Sequence, residues 1–329
     1  MVNYNGEKYL GKYDLADALE SFLRTNYPLF EFIFVDNDST DNSVIIAKEI
    51  FKKYPNVKTR ILENNTNLGF AGGCEVGLIY AKGDYICLVN NDDKALNSIW
   101  LSELVRNIER NEKIGAAFGK KLKWDKPEEV DARGLTMNPV GLIQQTNLKD
   151  KISECLIWQT PVLIKRNIIE NIGGLFDDDY VILNDDTDSS LRIWFAGYKM
   201  LYVPTAVVLH KRSATMKRLP VEFVAFHGRK NTIQTLLKNY ELKDLVKWLP
   251  VTLCVYTSAM VYYVYRKRLD QVKATLKAMF WNIINLKKTW RKRYYIQRFV
   301  RNTGDNAVFK LMRPFSFTDT IKSEKLWPK

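Results

Sequence analysis

Two acidic clusters carry the side chains of this chain that are best suited to chemistry. The first, Asn90 to Asp93, directly follows the short, partly β-branched apolar run Tyr85 to Val89. Such a run, bounded by polar residues, is typical of a buried strand. Ligands of α/β sheets bind beyond the carboxyl ends of strands, where oxygen ligands suit Mg²⁺ or Mn²⁺ and, through the cation, a diphosphate. The alternative is an Asx-rich turn that caps a helix and binds nothing.

The second cluster, Asp185-Asp186-Thr187-Asp188, opens a predicted helix over Leu183 to Phe195. The helix macrodipole favours acidic residues at this end, and this structural effect alone explains one or two of the carboxylates. Asp188 and Arg192 stand four residues apart, a spacing that predicts an ion pair along the helix. His210, one of only two histidines in the chain, ends a further predicted strand, and a lone histidine at such a place is usually structural.

Strands and helices alternate along the first two thirds of the chain, and this alternation positions the clusters. Apolar periodicity predicts the strands Glu31–Val35, Lys58–Leu62, Tyr85–Val89, Gly115–Phe118, Leu156–Lys165 and a pair over Lys199–His210 broken at Pro204. It predicts the helices Asp14–Asn26, Val44–Tyr54, one that follows the segment 64–73 and runs through Tyr80, 98–111, Arg166–Ile172 and Leu183–Phe195. Residues 120–155 read as a polar, variable connection. We therefore predict an α/β fold with a mostly parallel, Rossmann-like sheet flanked by helices.

The first predicted strand is unusually short. The turn Asn3-Tyr4-Asn5-Gly6 follows only Met1 and Val2, although such a turn should end a strand. We expect that most of this strand is missing or lies upstream.

The ordered motif set VNYNG, VDNDSTD, NLGFAGG, LVNNDD, IGGLFDDDY, NDDTDSSLR and a terminal His resembles the family-2 glycosyltransferases. It is most similar to rhamnosyltransferase-like members, and the resemblance covers residues 1 to about 300. It implies a GT-A fold and an inverting transfer of a hexosyl or rhamnosyl group from a nucleotide-sugar to a hydroxyl of a glycan or lipid-linked acceptor. Polysaccharide biosynthesis is the expected setting.

The resemblance also implies roles for individual residues. Donor-binding residues are expected at Tyr4, Asp36, Asn67, Gly69, Asn91 and Arg192. A divalent metal, Mg²⁺ or Mn²⁺, is expected at Asp92, His210 and Asp93. Asn90 replaces the first Asp of the family's Asp-x-Asp motif, which removes one charge from that site.

The same resemblance makes Asp186 the catalytic base, supported by Asp185 and Asp188. Asp185 stands where the family has Glu, which keeps the charge but shortens its reach. Such a site needs a base and a cation but no covalent nucleophile. A catalytically weak GT-A subunit that binds a glycan or a partner at the membrane is the alternative function.

The net charge of +13 is concentrated at the C-terminal end. Residues 211–329 hold 26 Lys and Arg against 7 Asp and Glu, and this part is also rich in aromatic residues. We expect a GT-A domain over 1–215 and a mostly helical region over 216–329 that binds an anionic membrane surface. Trp248–Tyr265, 18 residues without a charge, could instead span the membrane, and a soluble cap or homo-oligomer interface is the third reading.

Two further expectations concern partners and place. No recognised nucleic-acid-binding motif accompanies the basic charge, so no nucleic-acid partner is expected. The four cysteines are scattered and the N-terminus lacks an apolar signal region, which indicates a cytoplasmic protein, peripheral at the inner face of the cell membrane.

Overall fold

The computed structural model describes residues 1–211 and 219–316, which form an α/β sheet region followed by a set of helices. The strands are β1 Val2–Asn3, β2 Glu31–Asp36, β3 Lys58–Glu63, β4 Tyr85–Leu88, β5 Asp93–Ala95, β6 Ile114–Lys123, β7 Lys126–Ala132, β8 Leu135–Met137, β9 Ile143–Gln145, β10 Ser153–Glu154, β11 Val162–Lys165 and β12 Lys199–His210. The helices are α1 Gly6–Leu10, α2 Lys12–Leu23, α3 Ser43–Lys52, α4 Gly69–Tyr80, α5 Trp100–Ile108, α6 Arg166–Asn171, α7 Asp185–Phe195, α8 Val221–Asn239, α9 Leu242–Tyr265, α10 Leu269–Ile284, α11 Leu286–Tyr295 and α12 Asn306–Phe309, with a π-helical turn at Ile296–Val300.

The first three strands form a parallel sheet in the order β1-β2-β3. On β2, Phe32 and Phe34 alternate with less buried residues and pack against Phe51 of α3. The predicted parallel arrangement is therefore confirmed for this part of the fold, and it places the carboxyl ends of β1 and β2 side by side.

The larger sheet is mixed. Its strands run in the order β10-β12-β6-β11-β4, with β5 added to β12 and β7 to β6. β12 and β6 are parallel, whereas β11 is antiparallel to both of its neighbours, β4 and β6. A single bridge between Val2 and Asn90 joins the two sheets. A mostly parallel sheet is thus correct for the first three strands, and the larger sheet departs from it.

Two local predictions were wrong. Lys199–His210 forms one strand rather than a broken pair, because Pro204 lies where the register shifts between Val203 and Val207 and no ladder hydrogen bond is required of it. The connection 120–155 contains the second half of β6 and four short strands, β7–β10. Their side chains are mostly polar and half-exposed, so they lack the apolar alternation that would have indicated strands.

The C-terminal helices share a hydrophobic core with the larger sheet. Buried side chains from both parts pack into one cluster: Phe118, Trp158, Phe195, Tyr202, Leu236, Tyr240, Tyr256 and Val300. The predicted boundary at residue 215 lies outside the described residues, and no break in the core accompanies the change from sheet to helices.

Candidate active site

The polar edge of the sheet is organised by a chain of hydrogen bonds between β1, β2 and β4. The side-chain amide of Asn91 donates to Asn3 Oδ1, and Asn3 donates in turn to Asp36 Oδ1, both at 2.8 Å. A Cβ on Gly6 would lie 2.2 Å from Asn3 Oδ1, so a glycine is needed at that position. The ends of three strands are thereby fixed against one another.

Asp36 is 3% exposed and accepts three hydrogen bonds, from Asn3 and from the amide and hydroxyl of Ser39. A carboxylate has about four acceptor positions, which leaves room for one further donor. Tyr4 is half-buried, with its ring edge-on to Tyr9. The donor-binding roles of Asp36 and Tyr4 stay predictions, but both residues lie at the expected edge.

Gly69 brings the start of α4 against the loop that precedes α7. Asn67 Oδ1 accepts the Gly69 amide at 2.9 Å, and Asn37 donates to the Gly69 carbonyl at 2.8 Å. The φ of Gly69 is +72°, and a Cβ there would lie 2.5 Å from the carbonyl oxygen of Val181. Only glycine permits this approach. The predicted donor segment and the second acidic cluster are therefore neighbours.

Asp92 and His210 meet at the carboxyl ends of β4 and β12. His210 Nε2 lies 3.3 Å from Asp92 Oδ2, and its Nδ1 lies 2.7 Å from Asp131 Oδ2. Burial alone would raise the pKa of Asp92, but its hydrogen bond to His210 and the charges of His210 and Lys121 hold it below its usual value. Burial and Lys121 would lower the pKa of His210, yet Asp131 and Asp92 raise it. No sequence pattern pointed to Asp131 as a partner of His210.

Asp93 has another partner. It is fully buried, pairs with Lys121 Nζ at 2.8 Å and accepts from the Thr160 hydroxyl at 2.8 Å. One oxygen each of Asp92, Asp93 and one ring nitrogen of His210 lie within 4.8 Å of one another, but the lysine already neutralises Asp93. Its predicted role as a metal ligand stays a prediction, and in this structure Asp93 is the buried counter-ion of Lys121.

The remaining donors fit a divalent cation. Asn90 Oδ1 is buried and, among the described residues, has no hydrogen-bond partner, although a buried polar oxygen normally has one. A carboxylate, an imidazole and an unsatisfied amide oxygen form a set that suits Mn²⁺ better than Mg²⁺, because Mg²⁺ favours oxygen ligands alone. Asp92, His210 and Asn90 are the residues that would hold it.

The second acidic cluster lies on a strained entry to α7. Leu183 and Asn184 both have left-handed backbone conformations, with φ of 64° and 61°, which non-glycine residues adopt at a cost. Asn231 of α8 donates to the carbonyls of Ile182 and Leu183 at 2.8 and 2.7 Å. Helix α8 therefore holds the backbone at the start of α7, from which the side chains of Asp185 and Asp186 project.

Asp185 and Asp186 hold their protons unusually tightly. Burial, followed by the charge of Asp186, raises the pKa of Asp185 to about 7. Burial also raises the pKa of Asp186 to about 6. Asp186 is the more accessible of the two, and a carboxylate with a pKa near neutrality suits proton abstraction.

Asp188 and Arg192 are more deeply buried than Asp185 and Asp186 and do not belong to that pair. Asp188 is 1% exposed and binds Arg192 and Lys238, each at 3.0 Å. Burial would raise the pKa of Asp188, but Lys238 and Arg192 lower it. The predicted ion pair is confirmed, whereas a direct catalytic role for Asp188 is not supported, since its oxygens are already bound.

The donor-binding role predicted for Arg192 stays a prediction, and its side chain has protein partners in this structure. Its guanidinium is buried and donates to Asp188 and to the carbonyls of Ile172, Gly174 and Leu175. It holds the loop that precedes the acidic cluster.

One ionic group was missed by the sequence reasoning. Asp177, Asp178 and Asp179 are bound by lysines of α8 and α11, and we call this group the lysine clasp. Its lysines are Lys230, Lys238, Lys288 and Lys292. Burial would raise the pKa of Asp177, but Lys238 and Lys292 hold it far below its usual value. The clasp ties the C-terminal helices to the loop before α7.

Comparison with known proteins agrees with this geometry. The sequence model of Glycosyl transferase family 2 matches residues 1–173, more than half of the chain. An uncharacterized glycosyltransferase of Haemophilus influenzae is 24% identical over 306 residues, which cover 83% of this chain and 92% of that protein. The probable glycosyltransferase YdaM of Bacillus subtilis is 26% identical over 208 residues, 62% of this chain and 49% of its own length.

Solved structures show the same fold at low sequence identity. The mannosyltransferase PcManGT of Pyrobaculum calidifontis, in complex with GDP-Man and Mn²⁺, has a TM-score of 0.53 and 17% identity over 90% of this chain and 83% of its own. TarS residues 1–349 of S. aureus, in complex with UDP-GlcNAc, has a TM-score of 0.57 and 16% identity over 99% of this chain and 90% of its own. The α/β fold with a mixed sheet and a C-terminal helical region is thus of the GT-A type.

Proposed function

Because this chain belongs to glycosyl transferase family 2, we propose that it transfers a sugar from a nucleotide-sugar by a single displacement with inversion. A hydroxyl of a glycan or lipid-linked acceptor attacks the anomeric carbon. The bond from that carbon to the diphosphate breaks as the new glycosidic bond forms, and the nucleoside diphosphate leaves. The hydroxyl proton goes to a carboxylate of the enzyme.

The observation that carries this proposal is the Asp185–Asp186 pair. Its buried carboxylates have raised pKa values, and the adjoining loop is pressed against the start of α4 through Gly69 and Val181. Asp186, the more accessible of the two, takes the proton. Asp185 stands beside it as a second, less accessible carboxylate.

The donor side is formed by the strand ends. Asn3, Asp36 and Asn91 form the hydrogen-bonded edge near which the nucleoside would lie. The complexes of PcManGT with GDP-Man and of TarS with UDP-GlcNAc support a nucleoside diphosphate-sugar as donor class. A divalent cation bound at Asp92, His210 and Asn90 would neutralise charge on the diphosphate as it leaves.

Replacing Asp186 tests the base assignment. Asp186→Asn keeps the shape but cannot accept the proton, so transfer should fall roughly 10²- to 10⁴-fold. The assay is a panel of UDP- and GDP-sugars with Mn²⁺, including hexosyl and rhamnosyl donors, with turnover measured by release of nucleoside diphosphate. Asp125→Asn, at an exposed turn, is the matched control. Nucleoside diphosphate binding by calorimetry should be unchanged in both variants, and equal turnover of Asp186→Asn and wild type would disprove the assignment.

A second function, a catalytically weak GT-A subunit, is favoured by one observation: Asn90 supplies an uncharged oxygen where the family motif has a carboxylate. This subunit would bind nucleoside diphosphate or glycan without transferring sugar. Wild-type protein that binds a nucleoside diphosphate but turns over no donor of the panel would support it over the enzyme.

We further propose that helices α10 and α11 rest on the anionic inner surface of the cell membrane. Leu276, Phe280 and Ile283 lie on one side of α10 and are 52%, 64% and 69% exposed. Trp290 on α11 is 48% exposed. Exposed basic residues accompany them: Lys273, Lys277, Lys287 and Arg291. Apolar and basic side chains together are typical of helices that lie in the headgroup region.

Helix α9 supports surface binding more weakly. By length and composition it is the one helix of the described residues that could cross a membrane, and 22% of its most apolar window is buried in the fold. Its buried residues, among them Val255 and Tyr256, belong to the shared core. A helix that packs on a globular core with one face suits a membrane surface better than a complete span, and a lipid-linked acceptor would be reached from such a surface.

A further inference from the structure

A pocket opens between the start of α9 and one side of α11, and its lining residues include neither the acidic pair nor the metal site. Its volume is about 510 Å³, within the usual range of small-molecule sites. Trp290, Arg293, Tyr294 and Gln297 form one wall. Their spacing of three and four residues places them on one side of α11 and of the π-helical turn that continues it. Residues 241–243 form the opposite wall.

The wall on α11 is fixed by hydrogen bonds to the end of α8. Arg293 donates to two backbone carbonyls there at 2.8 and 2.6 Å, and Gln297 donates to two more at 3.1 and 3.0 Å. The four carbonyls belong to Leu237, Tyr240, Lys238 and Asn239. The last carbonyls of a helix have no partner within the helix, so both side chains have a defined place. The pocket is therefore formed before any ligand binds.

Two aromatic rings line the pocket and remain open to solvent. Trp290 is 48% exposed and Tyr294 is 65% exposed. The guanidinium of Arg293 lies 5.3 Å from the centre of the Trp290 ring. The ring of Tyr294 meets Phe299 edge-on, with 6.2 Å between the ring centres. Both rings are thus held in position while they offer apolar surface next to polar groups.

The charged groups of the pocket already have protein partners. Glu241 Oε2 lies 3.0 Å from Lys243 Nζ, and the guanidinium of Arg293 donates to the carbonyls at the end of α8. A carboxylate in the wall disfavours an anionic headgroup. The carboxylate oxygens of Glu241 and the amide oxygen of Gln297 are acceptors that suit hydroxyl groups. The pocket therefore favours a neutral ligand that carries many hydroxyls.

We propose that this pocket binds a neutral sugar residue of a glycan chain, away from the reacting hydroxyl. A pyranose ring has an apolar face of C–H groups and a rim of hydroxyls. The apolar face would pack on Trp290 and Tyr294, and the hydroxyls would pair with Glu241 and Gln297. That this glycan is the acceptor of the enzyme rests on the proposed function, whereas the binding of a sugar does not.

The pocket is linked to α7 through the end of α8. Gln297 binds the carbonyls of Lys238 and Asn239. The side chains of the same two residues lie 3.0 and 2.8 Å from Asp188 Oδ1. Trp290 also belongs to the exposed side of α10 and α11 that we propose to rest on the membrane. The pocket therefore adjoins both the membrane-facing helices and the residues that support α7, which suits the glycan of a lipid-linked acceptor.

The test uses the full chain and a panel of neutral trisaccharides of glucose, galactose, mannose, rhamnose or N-acetylglucosamine. With a nucleoside diphosphate and Mn²⁺ present to occupy the donor site, at least one trisaccharide should bind with a roughly millimolar Kd. Saturation-transfer NMR should show sugar protons in contact with aromatic protons. The indole N–H signal of Trp290, assigned with Trp290→Phe, should shift on binding.

Removing one ring separates this pocket from other places where a sugar binds. Tyr294→Ala should weaken trisaccharide binding about tenfold or more, because the apolar face of the sugar loses its contact. Tyr13→Ala is the matched control, since Tyr13 lies on α2 and is 84% exposed, and it should bind like wild type. Asp186→Asn should also keep its sugar binding.

Three outcomes would overturn the proposal. The first is that no trisaccharide of the panel shifts the Trp290 signal. The second is equal affinity of Tyr294→Ala and wild type, which would mean that the sugar binds elsewhere. The third is a shift caused by glycerophosphoglycerol, the headgroup of an anionic lipid, with none caused by the sugars. Release of nucleoside diphosphate is measured separately, so donor turnover without trisaccharide binding would disprove the pocket and leave the proposed function intact.

Discussion

Asp185 shows how a single carboxylate in this site acts against stability. An unfolded Asp titrates near pH 4, whereas burial and Asp186 raise the pKa of Asp185 to about 7. The folded protein therefore binds this proton more tightly than the unfolded chain, so stability is fully present below about pH 4 and is lost as the pH rises to about 7. Asp185→Asn should raise Tm by roughly 5 °C at pH 8 and by little at pH 4. Thermal unfolding across this pH range measures it, and a difference that does not grow with pH would contradict the cause given.

Replacing Asn90 by Asp should strengthen the binding of a divalent cation. The Oδ1 of Asn90 is buried and has no hydrogen-bond partner among the described residues, so Asn90→Asp adds a charge where a cation would be held. Without metal this charge should lower Tm, because an unpaired buried carboxylate is costly. With Mn²⁺ the variant should bind about tenfold or more tightly than wild type, as measured by calorimetry.

The opposite change provides the comparison for that prediction. His210→Gln removes a nitrogen ligand and should weaken Mn²⁺ binding in the same titration, with Asp125→Asn unchanged. If Asn90→Asp bound Mn²⁺ no better than wild type, the assignment of the site to Asn90, Asp92 and His210 would be wrong.

At the residue scale, the motif positions were predictable and the hydrogen-bond partners were not. Asp92 and His210 come together as expected, because both follow strands of one sheet. The family resemblance implied a donor-binding role for Arg192, yet three backbone carbonyls and Asp188 surround its guanidinium. Lys121, 28 residues after Asp93 and on another strand, neutralises Asp93. Such partners are set by the folded chain and leave no local pattern.

Helix α8 is the element that aims the catalytic loop. Asn231 binds the carbonyls of Ile182 and Leu183, and its removal leaves two partly buried acceptors without this donor at the left-handed turn of Leu183 and Asn184. Asn231→Ala should cost about 1–3 kcal/mol in stability and lower kcat roughly tenfold or more, with a smaller change in the KM of the donor, because Asp186 loses its orientation.

Asn282→Ala, a change on α10, is the matched control for Asn231→Ala. Asn282 is also buried and donates to two carbonyls, those of Lys230 and Ala278, but neither of these carbonyls belongs to the loop before α7. The two variants should lose similar stability, and kcat should fall only in Asn231→Ala. Equal kcat values in both would show that α8 supports the fold without positioning the acid pair.

At the element scale, periodicity predicted the β/α alternation of the first part well. It failed where tertiary contacts decide, as for the short polar strands β7–β10 and for the lysine clasp. Lys292 and Asp178 are 114 residues apart, and the spacing of Lys288 and Lys292 alone indicates only a basic helix face. The clasp explains why helices that looked like a separate region complete the site.

The sequence alone shows that basic residues are concentrated in the C-terminal part of the molecule. The structure shows where on α10 and α11 they lie. The exposed apolar side chains of α10 and α11 lie among exposed lysines and arginines, so apolar insertion and attraction to anionic lipid act together. Each lysine near such a surface contributes about 1 kcal/mol. Three lost lysines therefore weaken binding by roughly two orders of magnitude.

The triple variant Lys273→Glu, Lys277→Glu and Lys287→Glu should abolish binding to vesicles of phosphatidylglycerol and phosphatidylcholine in flotation assays. The same charge change at the end of α3, with Lys48, Lys52 and the following Lys53 replaced by Glu, should leave more binding, because α3 packs on the N-terminal sheet and is not part of the face formed by α10 and α11. Screening by salt should weaken wild-type binding without abolishing it, since the apolar side chains remain.

Phe280→Ser with Ile283→Ser should remove the part of the binding that persists at high salt. If both triple variants bind equally, the basic face of α10 and α11 is no membrane surface; if the serine pair instead dissociates an oligomer, that face joins two copies of the chain.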